Sequence, residues 1–146
     1  MYDRFVYPAK IEWSEEDRRF FVYFAGDLKW VFTTGADQRH ARAQAIDALE
    51  VAIAAYVHKG EAIPTPTKPK RGEILIGMGP GMTAKAALYE AMRDAGMNNV
   101  ALARKLGVAE TEVRRLLSPR HNSKIERLDK ALAVFGKHIV VRIAAE

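Results

Sequence analysis

The first half of the chain has the hydrophobic spacing of β-strands. Apolar residues occupy every second position near its start, namely Phe5, Tyr7, Ala9, Ile11 and Trp13. A period of two puts these side chains on one face of a strand. Two later runs, FFVYF at residues 20–24 and WVFTT at residues 30–34, are rich in aromatic and β-branched residues, which favour strands. The sequence therefore predicts three strands before Gly35.

A long helix is predicted after the third strand. Asp37 is a suitable N-cap, because its carboxylate can accept a hydrogen bond from an amide of the first turn. Apolar residues then recur at helical spacing as far as Lys59: Ile46, Leu49, Ile53 and Tyr56. Gly60 follows at the position of a C-cap glycine. The order β-β-β-α indicates an antiparallel sheet with one helix on a single face.

Residues 60–72, GEAIPTPTKPKRG, contain three of the six prolines of the chain and little that could pack. Proline has no amide hydrogen and a fixed φ angle, so neither a helix nor a central strand is expected to run through this segment. The segment is interpreted as an interdomain linker. It divides the chain into an N-terminal domain at residues 1–63, a linker at residues 64–72 and a C-terminal domain at residues 73–146.

The second half has the apolar stripes of a small helical domain. One helix is predicted at residues 83–95, and another runs from an N-cap at Ser123 to Phe135. Between them, LARKLGVAETEVRRLL at residues 102–117 contains two short helices joined at Gly107, with Val108 filling the turn. This spacing is typical of a helix-turn-helix of the Cro/lambda-repressor type, and an ordinary helical hairpin is the alternative.

In a helix-turn-helix, the N-terminal part of the second helix enters the major groove of DNA. Arginine can bond both acceptors of guanine, threonine can touch a base edge, and glutamate can accept from a cytosine amino group. The residues that would read bases are Glu110, Thr111, Arg114 and Arg115. The residues that would contact phosphates are Arg104, Arg120 and Lys124. Because Glu110 and Glu112 repel phosphates, binding is expected to be selective or modest unless two modules pair.

The distribution of charge supports a polyanionic partner for the second half. Residues 1–66 contain 8 lysine and arginine residues against 10 acidic residues, a net charge of −2, and residues 67–146 contain 15 against 8, a net charge of +7. A basic domain suits nucleic acid, although an ordinary lysine- and arginine-rich surface would give the same count. The chain has no cysteine, no signal-peptide pattern and no apolar run of membrane-spanning length, so a soluble cytoplasmic protein is expected.

Two short strand-like runs flank the four predicted helices, EILIGM at residues 73–78 and HIVVRI at residues 138–143. A ribbon made from both runs could join two subunits through Ile139, Val141 and Ile143. It would then set two recognition helices about 34 Å apart, one turn of DNA. A small sheet within one chain, which only closes the domain, is the alternative.

No catalytic or metal site is predicted. The acidic residues of the first half fall mostly in turns and on the polar helix face, with no spacing that forces them together. His40 and His58 lie 18 residues apart on the predicted helix, about five turns, so they cannot share a metal within one subunit. No phosphate-binding glycine loop or nucleophile motif occurs. The sequence therefore predicts a binding protein without a cofactor.

These features together resemble the HicB-type antitoxins, in the variant with a C-terminal helix-turn-helix. The resemblance covers almost the whole chain. Its N-terminal matches are YPAKIEW, RFFVYF, TTGAD and GEAIPTP, and its C-terminal matches are LARKLGVAETEVRRLL and SKIERLDKALAVFGKHIVVRI. The order and spacing of these segments carry the resemblance more than any single motif.

The resemblance implies a partial RNase H-like fold for the N-terminal domain, without nuclease activity. This domain would bind and block a HicA-type toxin, a small basic protein that cleaves mRNA. The C-terminal domain would bind the operator of its own operon as a homodimer or tetramer. Toxin contacts are expected in the loop AGDLKW, at Asp27, Leu28 and Trp30, although a place in the core is the favoured interpretation of Trp30.

Two other functions are compatible with the sequence. The first is a stand-alone helix-turn-helix regulator, whose N-terminal domain senses a ligand or dimerises and which has no small basic partner. The second is an active RNase H-like nuclease tethered to DNA, which would depend on Mg²⁺ and on carboxylates such as Glu12 or Asp27.

Overall fold

A computed structural model describes residues 3–145 of the chain. The outer ends of the two predicted domains, residues 1, 2 and 146, lie outside this part. The chain forms two compact units, the first ending at Gly79 and the second beginning at Pro80. Helices and a sheet are segregated along the sequence, so the predicted α+β class is confirmed. An RNase H-like origin of the first unit stays a prediction.

The first unit is a four-stranded antiparallel sheet with one long helix. Its strands are β1 (Val6–Ser14), β2 (Arg19–Phe24), β3 (Phe32–Gly35) and β4 (Ile74–Gly77), and they lie in the order β3-β2-β1-β4. A single 3₁₀ turn, Gly26–Leu28, connects β2 to β3. The helix α1 (Gln38–Lys59) follows β3. The three predicted N-terminal strands and the helix are therefore present.

The core of the first unit follows the predicted alternation. Ala9 lies opposite Phe24, and Ile11 lies opposite Val22, in the antiparallel pair β1–β2. Phe24, Val22 and Ala9 are buried, as are Leu49 and Ile53 of α1. Toward the far end of β1 the burial fades, so that Trp13 is 42% exposed and contacts the ring of Phe20 edge to face.

Both predicted ends of α1 are confirmed. The Asp37 carboxylate accepts a hydrogen bond of 2.7 Å from the amide of His40. Gly60 ends the helix in the left-handed region with φ of 71°, and its amide donates to the carbonyls of Tyr56 and Val57. Glycine adopts such a φ at little cost and is the commonest residue at this position, which is why the C-cap could be identified from the sequence.

The segment EILIGM belongs to the first unit, not to the C-terminal domain. It forms β4, which pairs antiparallel with β1: Val6 lies opposite Gly77, and Ala9 lies opposite Ile74. Ile76 of β4 is 1% exposed. The predicted domain boundary at residues 72 and 73 is therefore wrong, because the first unit extends to Gly79. β4 is an edge strand of the sheet, so the ribbon between residues 73–78 and 138–143 of two subunits stays a prediction. β1 needs a partner on its second edge, and a strand more than 60 residues away supplies it.

The beginning of the proline-rich segment packs on the first unit and is hydrogen-bonded to it, so this part is not a free linker. Ile63 is buried. The Arg4 guanidinium donates hydrogen bonds to the carbonyls of Ile63 and Pro64, at 2.8 and 2.9 Å, and the Tyr7 hydroxyl donates to Pro64 at 2.7 Å. Proline lacks an amide donor but keeps its carbonyl acceptor, so side-chain donors can hold such a segment in place.

A chain that ends at residue 66 is expected to be less stable than one that ends at residue 79. The shorter chain lacks β4, and the burial of a single isoleucine such as Ile76 contributes about 1.5–3 kcal/mol. We therefore expect the free energy of unfolding to fall by at least about 2 kcal/mol. Both tryptophans, Trp13 and Trp30, lie in this unit, so urea denaturation followed by their fluorescence measures the difference. Equal midpoints for the two chains would contradict this role of β4.

The second unit contains four helices within residues 80–145. They are α2 (Pro80–Ala95), α3 (Asn99–Leu106), α4 (Glu110–Leu117) and α5 (Ile125–Ala133). Their buried residues form one cluster around Leu88, Leu102, Val113 and Leu128. The helix α2 begins three residues before its predicted start, because proline is tolerated in a first turn, where its missing amide hydrogen would have no partner.

The C-terminal run HIVVRI is neither helix nor strand in the single chain. Ile139 packs against the helical core, and its amide donates a 2.8 Å hydrogen bond to the Asp129 carboxylate. Val141 and Ile143 are 77% and 90% exposed. The alternative of a small sheet within one chain is therefore wrong, because residues 138–143 form no strand.

Candidate DNA interface and partner-binding surface

A tight turn joins α3 to α4. The Asn98 side chain caps α3 by accepting a 2.8 Å hydrogen bond from the amide of Ala101. Gly107 ends α3 with φ of 68°, and the next amide, that of Val108, donates back to the carbonyl of Ala103 at 3.0 Å. The glycine position agrees with the sequence. Val108, however, is 42% exposed and does not fill the turn as expected.

The helix α4 has one buried and one exposed side. Val113 and Leu116 are buried in the helical core. Thr111, Arg114 and Arg115 are exposed, and the Arg114 and Arg115 side chains are 64% and 56% accessible. The structure therefore brings the predicted base-reading arginines together on one solvent-facing helix surface.

The two glutamates of α4 pair with the same arginines that were expected to read bases. Glu110 forms an ion pair of 2.9 Å with Arg114, four residues further along the helix. Glu112 forms a 2.7 Å pair with Arg115 and a 3.1 Å pair with Arg127 of α5. The glutamates thus provide internal counter-ions, besides their favourable position at the start of the helix. Sequence reasoning missed Arg127, because no local spacing links it to Glu112.

The predicted phosphate-binding residues are exposed at three different points of the second unit. Arg104 lies in the last turn of α3, and Arg120 and Lys124 lie in the segment between α4 and α5. Lys124 lines a shallow cleft of about 180 Å³ together with Arg115 and Arg127. The structure therefore places Lys124 beside Arg115 of α4, whereas no described contact links Arg104 or Arg120 to Arg115.

Lys85 of α2 is the one charged residue that is buried within residues 3–145, with 5% of its surface exposed. Its ammonium group donates to the carbonyls of Arg115 and Leu116, at 2.9 and 3.0 Å, and to the Ser123 hydroxyl at 2.7 Å. Ser123 is therefore a partner of Lys85 and not the N-cap of α5, a position that Lys124 occupies without a side-chain bond. Burial lowers the pKa of Lys85 below its ordinary value of 10.5.

The loop between β2 and β3 does not expose the side chains that the sequence predicts. Asp27 is exposed, but Leu28 is 1% exposed and belongs to the core, so its assignment to a toxin contact is wrong. Trp30 is 56% exposed, which excludes the core interpretation of this residue. Its ring lies 6.3 Å from that of Tyr56 in α1. The 3₁₀ turn reverses the expected orientations, because it rotates Leu28 inward.

A second exposed aromatic surface lies on the sheet. Phe21, Tyr23 and Phe32 form a stacked row, with ring centroids 6.0 and 6.3 Å apart. Tyr23 and Phe32 are 43% and 60% exposed. From the sequence alone, these aromatic residues are expected only to favour strands. The alternation within FFVYF contained the signal, since a strand with aromatic residues at consecutive positions presents them on both of its faces.

No described group of side chains provides a metal centre. Within residues 3–145, no three histidine, aspartate or glutamate residues converge at a point that could hold a metal ion. None of the helices in this part of the chain is long and apolar enough to cross a membrane.

Comparison with known proteins identifies the family. The family model described as "HicB_like antitoxin of bacterial toxin-antitoxin system" matches residues 6–87. Antitoxin HicB 2 of Photorhabdus laumondii subsp. laumondii is 32% identical over 133 residues, covering 91% of this chain and 92% of the relative. The chain belongs to the HicB antitoxin family. Its resemblance to HicB-type antitoxins is thereby confirmed.

Other HicB antitoxins match over shorter lengths. Antitoxin HicB of Pseudomonas fluorescens is 35% identical over 102 residues, covering 69% of this chain and 70% of the relative. Antitoxin HicB of Escherichia coli K12 is 27% identical over 113 residues, covering 77% and 82%. HicB antitoxins are regulatory proteins and not enzymes, so the family supports an antitoxin role for the chain and not a catalytic one.

Proposed function

We propose that this HicB antitoxin neutralises a HicA-type, mRNA-cleaving toxin with its first unit and represses its own operon with its second unit. Family membership supports an antitoxin over a stand-alone regulator. One observation carries the DNA-binding half of the proposal. The helix α4 exposes Arg114 and Arg115 in a unit where residues 80–145 contain 12 lysine and arginine residues against 6 acidic residues, a net charge of +6.

In this proposal α3 and α4 act as a helix-turn-helix, and α4 is the recognition helix. Arg114, Arg115, Thr111 and Glu110 read base edges in the major groove. Each good base contact contributes about 1–3 kcal/mol of discrimination against the wrong base. The residues that bind phosphates are Arg104, Arg120 and Lys124.

The exposed C-terminal tail provides a means of pairing two DNA-binding units. Ile139 anchors the tail to the helical core, while Val141 and Ile143 expose apolar surface on a β-prone segment. Two such tails from two copies can pair with each other and cover this apolar surface. A symmetric homodimer, or a tetramer built from two of them, would place two recognition helices about 34 Å apart.

The toxin contact is proposed at Asp27 and Trp30. A large exposed aromatic residue on the rim of a unit is typical of a binding anchor. Residues 3–79 contain 11 lysine and arginine residues against 11 acidic residues, because the basic run at residues 68–71 offsets the acidic surplus noted above. A basic toxin would therefore be attracted by local groups such as Asp27 and not by the net charge of the unit.

Replacement of Trp30 by alanine is expected to weaken toxin binding by about 30-fold or more, as loss of an anchor worth about 2 kcal/mol requires. The fold should persist, because the Trp30 indole is exposed and its ring contact is with Tyr56 of α1 and not with the buried core. Calorimetric titration of the toxin into each variant measures the effect. Trp13→Ala is the matched control, because that indole is also partly exposed but lies at the other end of the sheet. Equal weakening by both variants would argue against the Trp30 site.

An RNA-cleavage assay tests the proposed function as a whole. The product of the small reading frame next to this one is allowed to cleave RNA, and the full chain is titrated into it. Stoichiometric inhibition is expected, and it should be unchanged when Arg114 and Arg115 are replaced by alanine. Absence of both inhibition and complex formation would refute neutralisation of this toxin.

A further inference from the structure

The buried ammonium group of Lys85 connects three elements of the second unit. An ammonium has three N–H donors, and all three are used: on the carbonyls of Arg115 and Leu116 and on the Ser123 hydroxyl. Ser123 itself donates to the Arg115 carbonyl at 3.2 Å. One side chain of α2 therefore holds both the end of α4 and the segment that leads to α5.

The contacts to α4 reach two carbonyls of its last turn, of which that of Arg115 also accepts a hydrogen bond from the amide of the C-cap residue Ser118. The last four carbonyls of an α-helix have no intrahelical donor, and a cation at that end interacts favourably with the helix dipole. Arg115 and Leu116 lie in the last turn of α4. Lys85 therefore acts as a C-terminal cap that is supplied by another helix.

The contact to Ser123 fixes the segment at residues 118–124. This segment carries Arg120 and Lys124, the two phosphate-binding candidates that lie outside the helices. Both of their side chains are exposed, whereas Ser123 is half-buried against Lys85. A constraint at Ser123 therefore fixes the backbone beside Lys124 while leaving the cationic groups free to reach solvent.

Packing alone does not require a charge at this position. The neighbours of Lys85 on α2, Ala84 and Ala86, are buried and apolar, as is Leu88 one turn further on. A buried ammonium opposes folding through its desolvation, which also lowers its pKa. Methionine has a similar length and would fill the same space without that penalty.

We propose that Lys85 is a positioning residue for DNA binding, which holds Arg120 and Lys124 at a fixed distance from the base-reading surface of α4. The proposal rests on the DNA-binding half of the proposed function. Without Lys85, Arg114 and Arg115 remain on α4 and still read bases. The phosphate contacts made from residues 118–124 are lost, because that segment is no longer fixed.

The dependence of DNA affinity on salt distinguishes this role from a purely structural one. Each phosphate contact contributes about 0.9 to the slope of log K against log salt concentration. Lys85→Met is expected to reduce this slope by about 1 to 2, for the loss of one or two phosphate contacts. A variant that merely unfolds in part lowers the active fraction and leaves the slope of the remaining molecules unchanged.

The test uses the full chain and a duplex that covers the region upstream of its own reading frame, titrated at several salt concentrations. Lys85→Met should bind about 10- to 100-fold more weakly at low salt, which corresponds to the lost contacts, and should keep its preference over a scrambled duplex. Ser123→Ala removes the contact of Lys85 to the loop, together with the bond from the Ser123 hydroxyl to the Arg115 carbonyl, and should reduce the slope with a smaller loss of affinity. Adding Ser123→Ala to Lys85→Met should reduce the slope by less than Ser123→Ala does in the wild-type chain, because the Lys85 contact is already absent. Lys130→Met, which removes an exposed charge from α5, is the matched control.

Hydrogen exchange without DNA tests the structural step separately. Amides of residues 118–124 should exchange faster in Lys85→Met and Ser123→Ala than in the wild-type chain and in Lys130→Met. Unchanged exchange, or weaker DNA binding with an unchanged slope, would overturn the proposal. Failure of the wild-type chain to bind the duplex refutes the DNA-binding function itself, whereas wild-type binding with an unaffected Lys85→Met refutes the positioning role alone.

Discussion

Replacing Arg114 and Arg115 together with alanine is expected to weaken binding to the operator by about 100- to 1,000-fold. Two base contacts of about 1–3 kcal/mol each account for a loss of this size. Toxin neutralisation should not change, because both residues are exposed on α4 in the second unit. Affinity for the upstream duplex, measured by fluorescence anisotropy at fixed salt, gives the result.

The ion pairs of α4 add a second contribution to this loss. Glu110 and Glu112 are neutralised by Arg114 and Arg115 in the free chain. Once the arginines are removed, Glu110 faces the phosphates without its counter-ion, whereas Glu112 keeps its pair with Arg127, so repulsion by Glu110 adds to the lost contacts. Glu110→Gln introduced together with Arg114→Ala should therefore recover part of the affinity. Recovery of this kind is a coupling between neighbouring residues, which a double-mutant cycle isolates.

A matched charge control separates recognition from general electrostatics. Lys130→Ala with Lys137→Ala also removes two positive charges, but from other exposed positions of the second unit. It should reduce affinity for all duplexes by a similar, small factor. If this control weakened operator binding as much as the α4 variant does, α4 would not be the recognition helix.

The features of the fold that could be predicted from the sequence are those in which a local backbone geometry or hydrogen bond calls for one particular type of residue. The left-handed backbone at Gly60 and Gly107 and the N-cap at Asp37 are set by neighbours within four residues. The alternation along β1 is local in the same sense. Such features depend on backbone geometry and hydrogen bonding within one turn, and the sequence contains all of that information.

The parts that sequence missed are contacts between residues distant along the chain. EILIGM has the composition of a strand, but composition does not tell which strand it pairs with, and the available edge was that of β1. Ser123 has the chemistry of an N-cap, but the ammonium of Lys85, 38 residues earlier, uses its hydroxyl. The ion pair between Glu112 of α4 and Arg127 of α5 is another contact between residues distant along the chain.

In the loop after β2 the flanking strands were predicted correctly, but the orientations of the loop side chains were not. Leu28 and Trp30 differ by two residues, and a continuing strand would turn both to the same side. The 3₁₀ turn at Gly26–Leu28 breaks that alternation, so the leucine is buried and the tryptophan is exposed. The candidate toxin contact therefore changes from a three-residue run to Asp27 and Trp30.

Replacing Gly35 with alanine is expected to destabilise the first unit by about 3 kcal/mol or more, the upper range for overpacking a core. Gly35 is the last residue of β3, and the chain turns there directly into α1. An added Cβ would lie far inside van der Waals contact with the backbone amide and Cα of Ala41. Backbone atoms cannot rotate away as a flexible side chain can, so the first turn of α1 must shift. That shift would break the Asp37 cap of the helix, which accepts from the amide of His40.

Urea denaturation of the full chain, followed by tryptophan fluorescence, measures this effect, because both tryptophans lie in the first unit. Gly77→Ala is the matched control in the same sheet, since the nearest atom to its added Cβ is a Val6 methyl group at an ordinary 3.6 Å. That control should be neutral or stabilise the unit by up to about 1 kcal/mol, because alanine lowers the entropy of the unfolded chain. An equal, small effect of both substitutions would mean that α1 can withdraw from β3, and the close approach at Gly35 would then not determine how the helix packs on the sheet.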